Sequence, residues 1–156
     1  MRRKDREITD RDEIISIIRK CDTCRLAIHD EPFPYIVPLN FGMEDKDGQL
    51  TLYFHSAQSG TKLDLLKKNN RVSFEMDCSH AIITYEERMS CTMGYESVIG
   101  TGTVEFIEDE EEKNRALKIL LSQYHAEDYA YDTEMVRVTA VYCLKVGTMT
   151  AKRRDI

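Results

Sequence analysis

The chain has 156 residues, about the size of one ordinary domain, which leaves room for a single core that needs neither disulfides nor metal. Hydrophobic residues make up 42% and charged residues 32%, a globular balance, and no apolar run approaches the ~20 residues that cross a bilayer. A formal net charge of −6 argues against any partner held by neutralising many phosphates, so nucleic acid is not expected, while one or two phosphates stay open.

The start, Met1-Arg2-Arg3-Lys4, is basic like a signal n-region, but the apolar stretch from Ile14 to Ile18 is too short and interrupted for an h-region. A cytoplasmic protein is expected. Thr9 is placed to cap a first helix, with Asp12 three residues on, and Ile14, Ile17, Ile18 and Cys21 share one face at helical spacing. Cys24 to His29 reads as extended, Asp30 to Pro34 breaks it with two prolines, and Tyr35 to Phe41 resumes it, giving a hairpin. The turn cluster Glu44 to Gly48 then precedes a strand over Gln49 to His55.

Between Gly60 and Asn70, Leu63 and Leu66 face one way and Lys62, Lys67 and Lys68 stand outside it, as in a short crossover helix. Arg71 to Asp77 alternates like a half-buried strand, and Cys78 to Gly94 reads as a looser segment. Tyr95 to Ile107 is the longest strand candidate, and Gly100 and Gly102 inside it imply a bend or a close approach of backbone or ligand. Four acids from Asp109 to Glu112 suit the first turn of a helix with Leu117, Leu120, Leu121 and Tyr124 on its apolar face. Val136 to Val146 reads as the last strand. No repeat or linker divides the chain, so one domain over 1–156 is expected. Some six strands with few, short helices point to an antiparallel barrel decorated by helices, mainly β, rather than a parallel α/β sheet.

The five cysteines, at 21, 24, 78, 91 and 143, are odd in number and irregularly placed, which suits thiols of a reducing compartment. Cys21-x-x-Cys24 with Cys78, His80 or Cys91 offers zinc ligands of acceptable type. Yet there is a single Cys-x-x-Cys, at a helix-to-strand junction where small buried cysteines are common, and no metal is expected. The pair closes a helix instead of opening one, which argues against a thioredoxin-like role. His29, His80 and His125 fall at loops or strand ends and read as exposed or structural.

Three segments occur in a known order and spacing: Pro-Tyr-Ile-Val-Pro-Leu-Asn-Phe at 34–41, Leu-Tyr-Phe-His-Ser-Ala-x-x-Gly-x-Lys at 52–62, and Tyr-x-Ser-Val-Ile-Gly-x-Gly at 95–102. They resemble the pyridoxamine 5′-phosphate oxidase-like superfamily, in its nitroimidazole-resistance branch, over nearly the whole chain from Cys24 to Lys152-Arg153-Arg154. The resemblance implies an antiparallel split β-barrel of FMN-binding type with short flanking helices, acting as a homodimer with the cofactor at the subunit interface. It implies that Lys62 and Thr61 grip the phosphate with Gly60, Ala57, Ser56 and His55 nearby, that Pro38, Leu39 and Asn40 run along the isoalloxazine, and that Ser97 also meets the cofactor. His55 is the candidate catalytic histidine. An oxidoreductase passing electrons from a reduced nicotinamide or another donor to a small acceptor such as a nitroaromatic follows. The arginine-rich strand and the C-terminal Arg and His of true pyridoxamine phosphate oxidases have no counterpart, so that reaction is not expected.

The residues themselves suit a phosphate. The run His55 to Lys62 ends a strand, holds three hydroxyls and a lysine, and opens a helix, which are the parts a near-dianionic group needs. Each also has a plainer reading: a capped helix with a solvated lysine, Pro38 marking a strand edge, Asn40 a surface polar residue, Gly100 and Gly102 serving curvature, and His55 bonding at a strand end. Two rival functions remain beside the reductase, a haem-binding or haem-degrading protein using a histidine as axial ligand, and a non-catalytic flavin carrier.

Overall fold

Alternating apolar residues build the strands, and aspartates start three of the helices. The computed structural model describes residues 3–126, 128–129 and 132–154, so Met1 and Arg2 of the basic start lie outside it. After a 3-10 turn at Lys4–Arg6 come β1 (Glu7–Ile8), α1 (Arg11–Lys20), β2 (Cys24–Ile28), β3 (Tyr35–Leu39), β4 (Gly42–Lys46) and β5 (Gln49–Ala57). Then follow α2 (Thr61–Lys68), β6 (Arg71–Tyr85), β7 (Ser90–Ile107), α3 (Glu110–Gln123), α4 (Thr133–Arg137) and β8 (Thr139–Arg154). No helix among the described residues is long and apolar enough to cross a membrane.

All strands pair antiparallel in one sheet ordered β3-β2-β6-β7-β8-β5-β4, with β1 added to β8. The two edge strands, β3 and β4, are consecutive in the chain and joined through Asn40 and Phe41, so the sheet is a barrel split between them. Leu26, Leu52, Phe54, Phe74, Met76, Val98, Tyr142 and Leu144 fill its interior, together with Ile14, Ile17 and Ile18 from α1 and Leu63 and Leu66 from α2. A second, smaller cluster lies under α3 and α4, where Ala116, Leu117 and Val136 cover Tyr53, Val141 and Cys143 on the outer side of β5 and β8. Gly42 permits that cover, because a Cβ there would overlap the α3 backbone at Ile119 and Leu120.

The antiparallel barrel expected from periodicity is present, and several boundaries are corrected. The cap of α1 is Asp10, which accepts from the Glu13 amide, in place of Thr9. The segment read as a turn at Glu44 to Gly48 takes in the last three residues of strand β4, whose polar Glu-Asp-Lys end hides its pairing with β5. Cys78 to Gly94 is no loose segment: β6 and β7 continue as a paired ribbon to Tyr85 and Ser90, with an irregularity between Cys78 and Ala81 where Ser79 takes a positive φ. Val136 belongs to α4, capped by Asp132, and β8 runs past Gly147 to Arg154. The bend expected in the long strand sits at a register shift between Thr101 and Gly102, and a Cβ on Gly102 would strike the Lys145 carbonyl.

Candidate functional site

β5 ends and α2 begins at one corner of the barrel, and most of the expected site residues lie there. Along β5 the inner residues Leu52 and Phe54 are buried, and the outer residue Tyr53 is covered by α3. His55, next on the outer side, is exposed. Ser56 is half-buried and donates to the Ala57 carbonyl at 2.9 Å, and Ala57 ends the strand opposite Thr139. Gln58 anchors the turn by donating to the Arg137 carbonyl at 2.7 Å.

The start of α2 differs from the other three helix starts. Asp10, Asp109 and Asp132 each accept a hydrogen bond from a first-turn amide of α1, α3 and α4. α2 starts at Gly60, at φ 138°, with no side chain to cap it. A helix start without a side-chain acceptor leaves first-turn N–H groups for an outside one. Lys62 stands in that turn, half-buried, and desolvation lowers the pKa of its ammonium. Among the described residues no carboxylate forms an ion pair with it. His55 is pushed below its ordinary value as well, by desolvation first and by the positive Lys62 second. The corner therefore gathers a lysine ammonium and an imidazole whose charged forms partial burial and mutual repulsion disfavour, with Thr61 beside them.

Asn40 is exposed in the link between β3 and β4, two residues before Gly42, which pairs with Tyr53 of β5. Its Nδ2 donates to the Tyr124 hydroxyl at 3.2 Å. Leu39 is buried in the core, and Pro38 is exposed on edge strand β3, where its missing N–H leaves no ladder bond unmade. Ser97 is elsewhere. It lies on the outer face of β7 opposite Lys152, ten residues from Ile107. At about 3.3 Å per strand residue that is roughly 30 Å from the end of β7 nearest His55. One chain thus joins His55, Ser56, Ala57, Gly60, Thr61 and Lys62 at the corner, ties Asn40 to Tyr124, and leaves Ser97 apart.

The remaining candidates are dispersed. His29 is exposed 3.8 Å from Glu31, and His80 Nε2 is 2.8 Å from Asp77. All five cysteines are free, and burial raises the pKa of the Cys21 and Cys24 thiols. Among the described residues no three His, Cys, Asp or Glu side chains converge as metal ligands would.

Two polar features escape the sequence patterns. Tyr142 is fully buried in the barrel, its ring 5.6 Å from Phe54 and 5.9 Å from Phe106, and its hydroxyl has no hydrogen-bond partner among the described residues. The only hint in the sequence is a tyrosine within the apolar run Ala140 to Leu144. Glu96, buried under α1, accepts from Lys20 at 2.6 Å, Arg153 at 2.7 Å and Ser79 at 2.8 Å. Desolvation alone would raise this carboxyl, but those hydrogen bonds outweigh it and hold the pKa at about 2.

The family profile described as pyridoxamine 5′-phosphate oxidase matches residues 10–153. The chain belongs to that family. Among solved structures it is similar to a candidate 5-nitroimidazole antibiotic resistance protein from Bacteroides thetaiotaomicron, with 39% identity and a TM-score of 0.83, over 94% of this chain and 86% of that one. A flavocytochrome from Azotobacter vinelandii shares the family barrel at a TM-score of 0.82 and 16% identity, over 100% and 72% of the two chains. An FAD- and haem-binding protein from Mycobacterium smegmatis does so at 0.80 and 18%, over 97% and 74%. At those identities the last two speak for the fold alone. No curated protein sequence matches the chain.

Proposed function

We propose that this member of the family is a flavoprotein that holds FMN at the β5–α2 corner and works as an oxidoreductase. The observation that carries the reading is Lys62: a half-buried cation without a carboxylate partner among the described residues, in the first turn of a helix that lacks a side-chain cap, unlike α1, α3 and α4. A flavin phosphate, close to dianionic, would accept from the Lys62 ammonium, the Thr61 hydroxyl and the free first-turn amides. It would also supply the counter-charge that the partly desolvated Lys62 ammonium lacks among the described residues. Ser56 and Ala57 would border the group, with Pro38, Leu39 and Asn40 along the isoalloxazine edge.

A bound flavin supplies the electron transfer, from a reduced nicotinamide or another donor to a small acceptor such as a nitroaromatic. The chain supplies binding and a proton position: His55, held toward its neutral form, can hydrogen-bond or accept a proton at an imidazole nitrogen beside the ligand. The resistance protein from Bacteroides thetaiotaomicron supports the nitroaromatic acceptor class.

A homodimer belongs to the same proposal, because Ser97 reaches the corner of no site within its own chain. Two surfaces favour it. The ribbon beyond the barrel carries no charge over 81–85 and 90–95, all its charges sitting at the tip in Glu86, Glu87 and Arg88, and it exposes the cross-strand pair Ile82 and Met93. The outer sheet face exposes Ile36 and Ile99 and holds a groove of about 610 Å³ across β2, β6, β7 and β8. Both are surfaces that a second copy would cover.

Absorption titration of the purified protein with FMN, FAD and haem, repeated on Lys62→Ala, tests the reading. Stoichiometric FMN binding that weakens about ten-fold or more on loss of the lysine, or some 1.4 kcal/mol, supports it. FMN binding indifferent to Lys62 would remove the corner from the site. Light scattering that finds only monomer at micromolar concentration would remove the shared site. Haem is the second reading, favoured by an exposed His55 kept toward the neutral imidazole that a metal requires. Its signature is a Soret band lost in His55→Ala.

A further inference from the structure

We infer that Tyr142 is a positioning residue for the cofactor corner, acting through Ser56, an inference that rests on the flavin reading above. Tyr142 faces Phe54 across the β5–β8 ladder, and Ser56 lies two residues farther along β5 on the same side, opposite Ala140. A diagonal neighbour of this kind is within reach of a side chain as long as tyrosine. Ser56 is also the hydroxyl that interacts with the Tyr142 phenol. Even so, the Tyr142 oxygen makes no hydrogen bond of proper geometry. Ser56 meanwhile directs its proton to the carbonyl of the adjoining residue, Ala57.

A buried hydroxyl without a partner destabilises the fold that contains it, and phenylalanine would stack on Phe54 and pack against the tilted Phe106 ring equally well without that penalty. The hydroxyl therefore answers to something other than packing of the free protein. Ser56 can close the chain of bonds. If its proton turns from the Ala57 carbonyl toward an acceptor oxygen on a ligand at the α2 start, the change of rotamer can bring a lone pair of its oxygen into line with the Tyr142 hydroxyl. Tyr142 then donates to Ser56 and Ser56 donates to the ligand. Each hydroxyl has one proton to give and accepts readily, so the relay leaves none unpaired. Binding would thus satisfy a polar atom that the free protein leaves unsatisfied, and the tyrosine would fix the rotamer in which Ser56 meets the ligand.

The test is FMN titration of the full chain and of Tyr142→Phe, Ser56→Ala, the double variant and Lys62→Ala, with thermal melting of each apoprotein. Tyr142→Phe is expected to weaken FMN binding about three- to ten-fold while its apoprotein melts at the same temperature or higher. Ser56→Ala is expected to weaken binding comparably, and the double variant no further than Ser56→Ala alone, since the relay is already cut. A purely structural tyrosine would give the reverse: a lower apoprotein melting temperature, or losses that add in the double variant. If the unaltered chain binds FMN and loses affinity with Lys62→Ala but not with Tyr142→Phe, the positioning role is overturned and the flavin reading stands. If the unaltered chain binds no FMN, the flavin reading fails and this inference falls with it.

Discussion

Glu96 and Lys62 are both charges drawn partly out of water, at opposite ends of the barrel, and their surroundings differ. Lys20, Arg153 and Ser79 all donate to Glu96, and Arg153 reaches on to Glu13, so the chain completes that network by itself. Lys62 has a helix start, two hydroxyl-bearing neighbours and a histidine around it, and no counter-charge within an ion pair among the described residues. Burying a charge is tolerated when it is paired, so a complete network reads as structure and an incomplete one as a place for something the chain does not supply.

Removing the centre of the complete network gives the largest expected effect. Glu96→Ala leaves Lys20 and Arg153 facing each other without their shared carboxylate, and urea unfolding should show a loss of about 2–3 kcal/mol. A loss within 0.5 kcal/mol, by the ordinary scale of surface substitutions at about that size, would mean that the network contributes little and the contrast is only geometric. Acid probes the same group with a definite sign. Its folded-state pKa of about 2 lies below the unfolded carboxyl value of roughly 4.3, so its contribution is whole above about pH 5 and is lost as pH falls toward 2. Unfolding midpoints measured across that window should fall in the unaltered chain and fall less in Glu96→Gln.

Lys62→Ala sharpens the contrast from the other side. With no internal partner to lose, the apoprotein should keep its stability to within about 0.5 kcal/mol. The smallest effect falls on its neighbour. The lysine is the second cause of the depressed His55 imidazole, so its removal should raise the His55 pKa partway back toward the ordinary value, as followed by NMR titration. A His55 titration unmoved by the substitution would mean that desolvation alone acts there and that the two groups do not share a site.

The sequence reveals elements with one apolar face better than elements without one. Period-two alternation marks β6 and the core of β7, β-branched and aromatic residues mark β5, and the acids of Asp109 to Glu112 mark the start of α3, because those signals arise within a few residues. β4 and the ribbon beyond Cys78 pair with their own hairpin neighbours, Lys46 with Gln49 and Tyr85 with Ser90, yet their residues, polar in one and uncharged on both faces in the other, carry no one-sided pattern. The run from His55 to Lys62 is legible as a site because its parts are contiguous. Tyr142 is not, since its significance comes from a missing partner, which only the packed barrel reveals.

The Tyr124 hydroxyl, beyond the last turn of α3, receives the Phe41 amide at 3.0 Å and Asn40 Nδ2 at 3.2 Å, and gives its own proton to the Asp22 carbonyl at 2.7 Å. Asn40 and Phe41 join the two edge strands, and Asp22 precedes β2, so one oxygen atom fastens the seam of the barrel to the strand behind it. Widening of that seam has to break these bonds at the end of α3. The tyrosine is in effect a clasp, and hydrogen exchange of the Phe41 amide becomes a gauge of how often it opens.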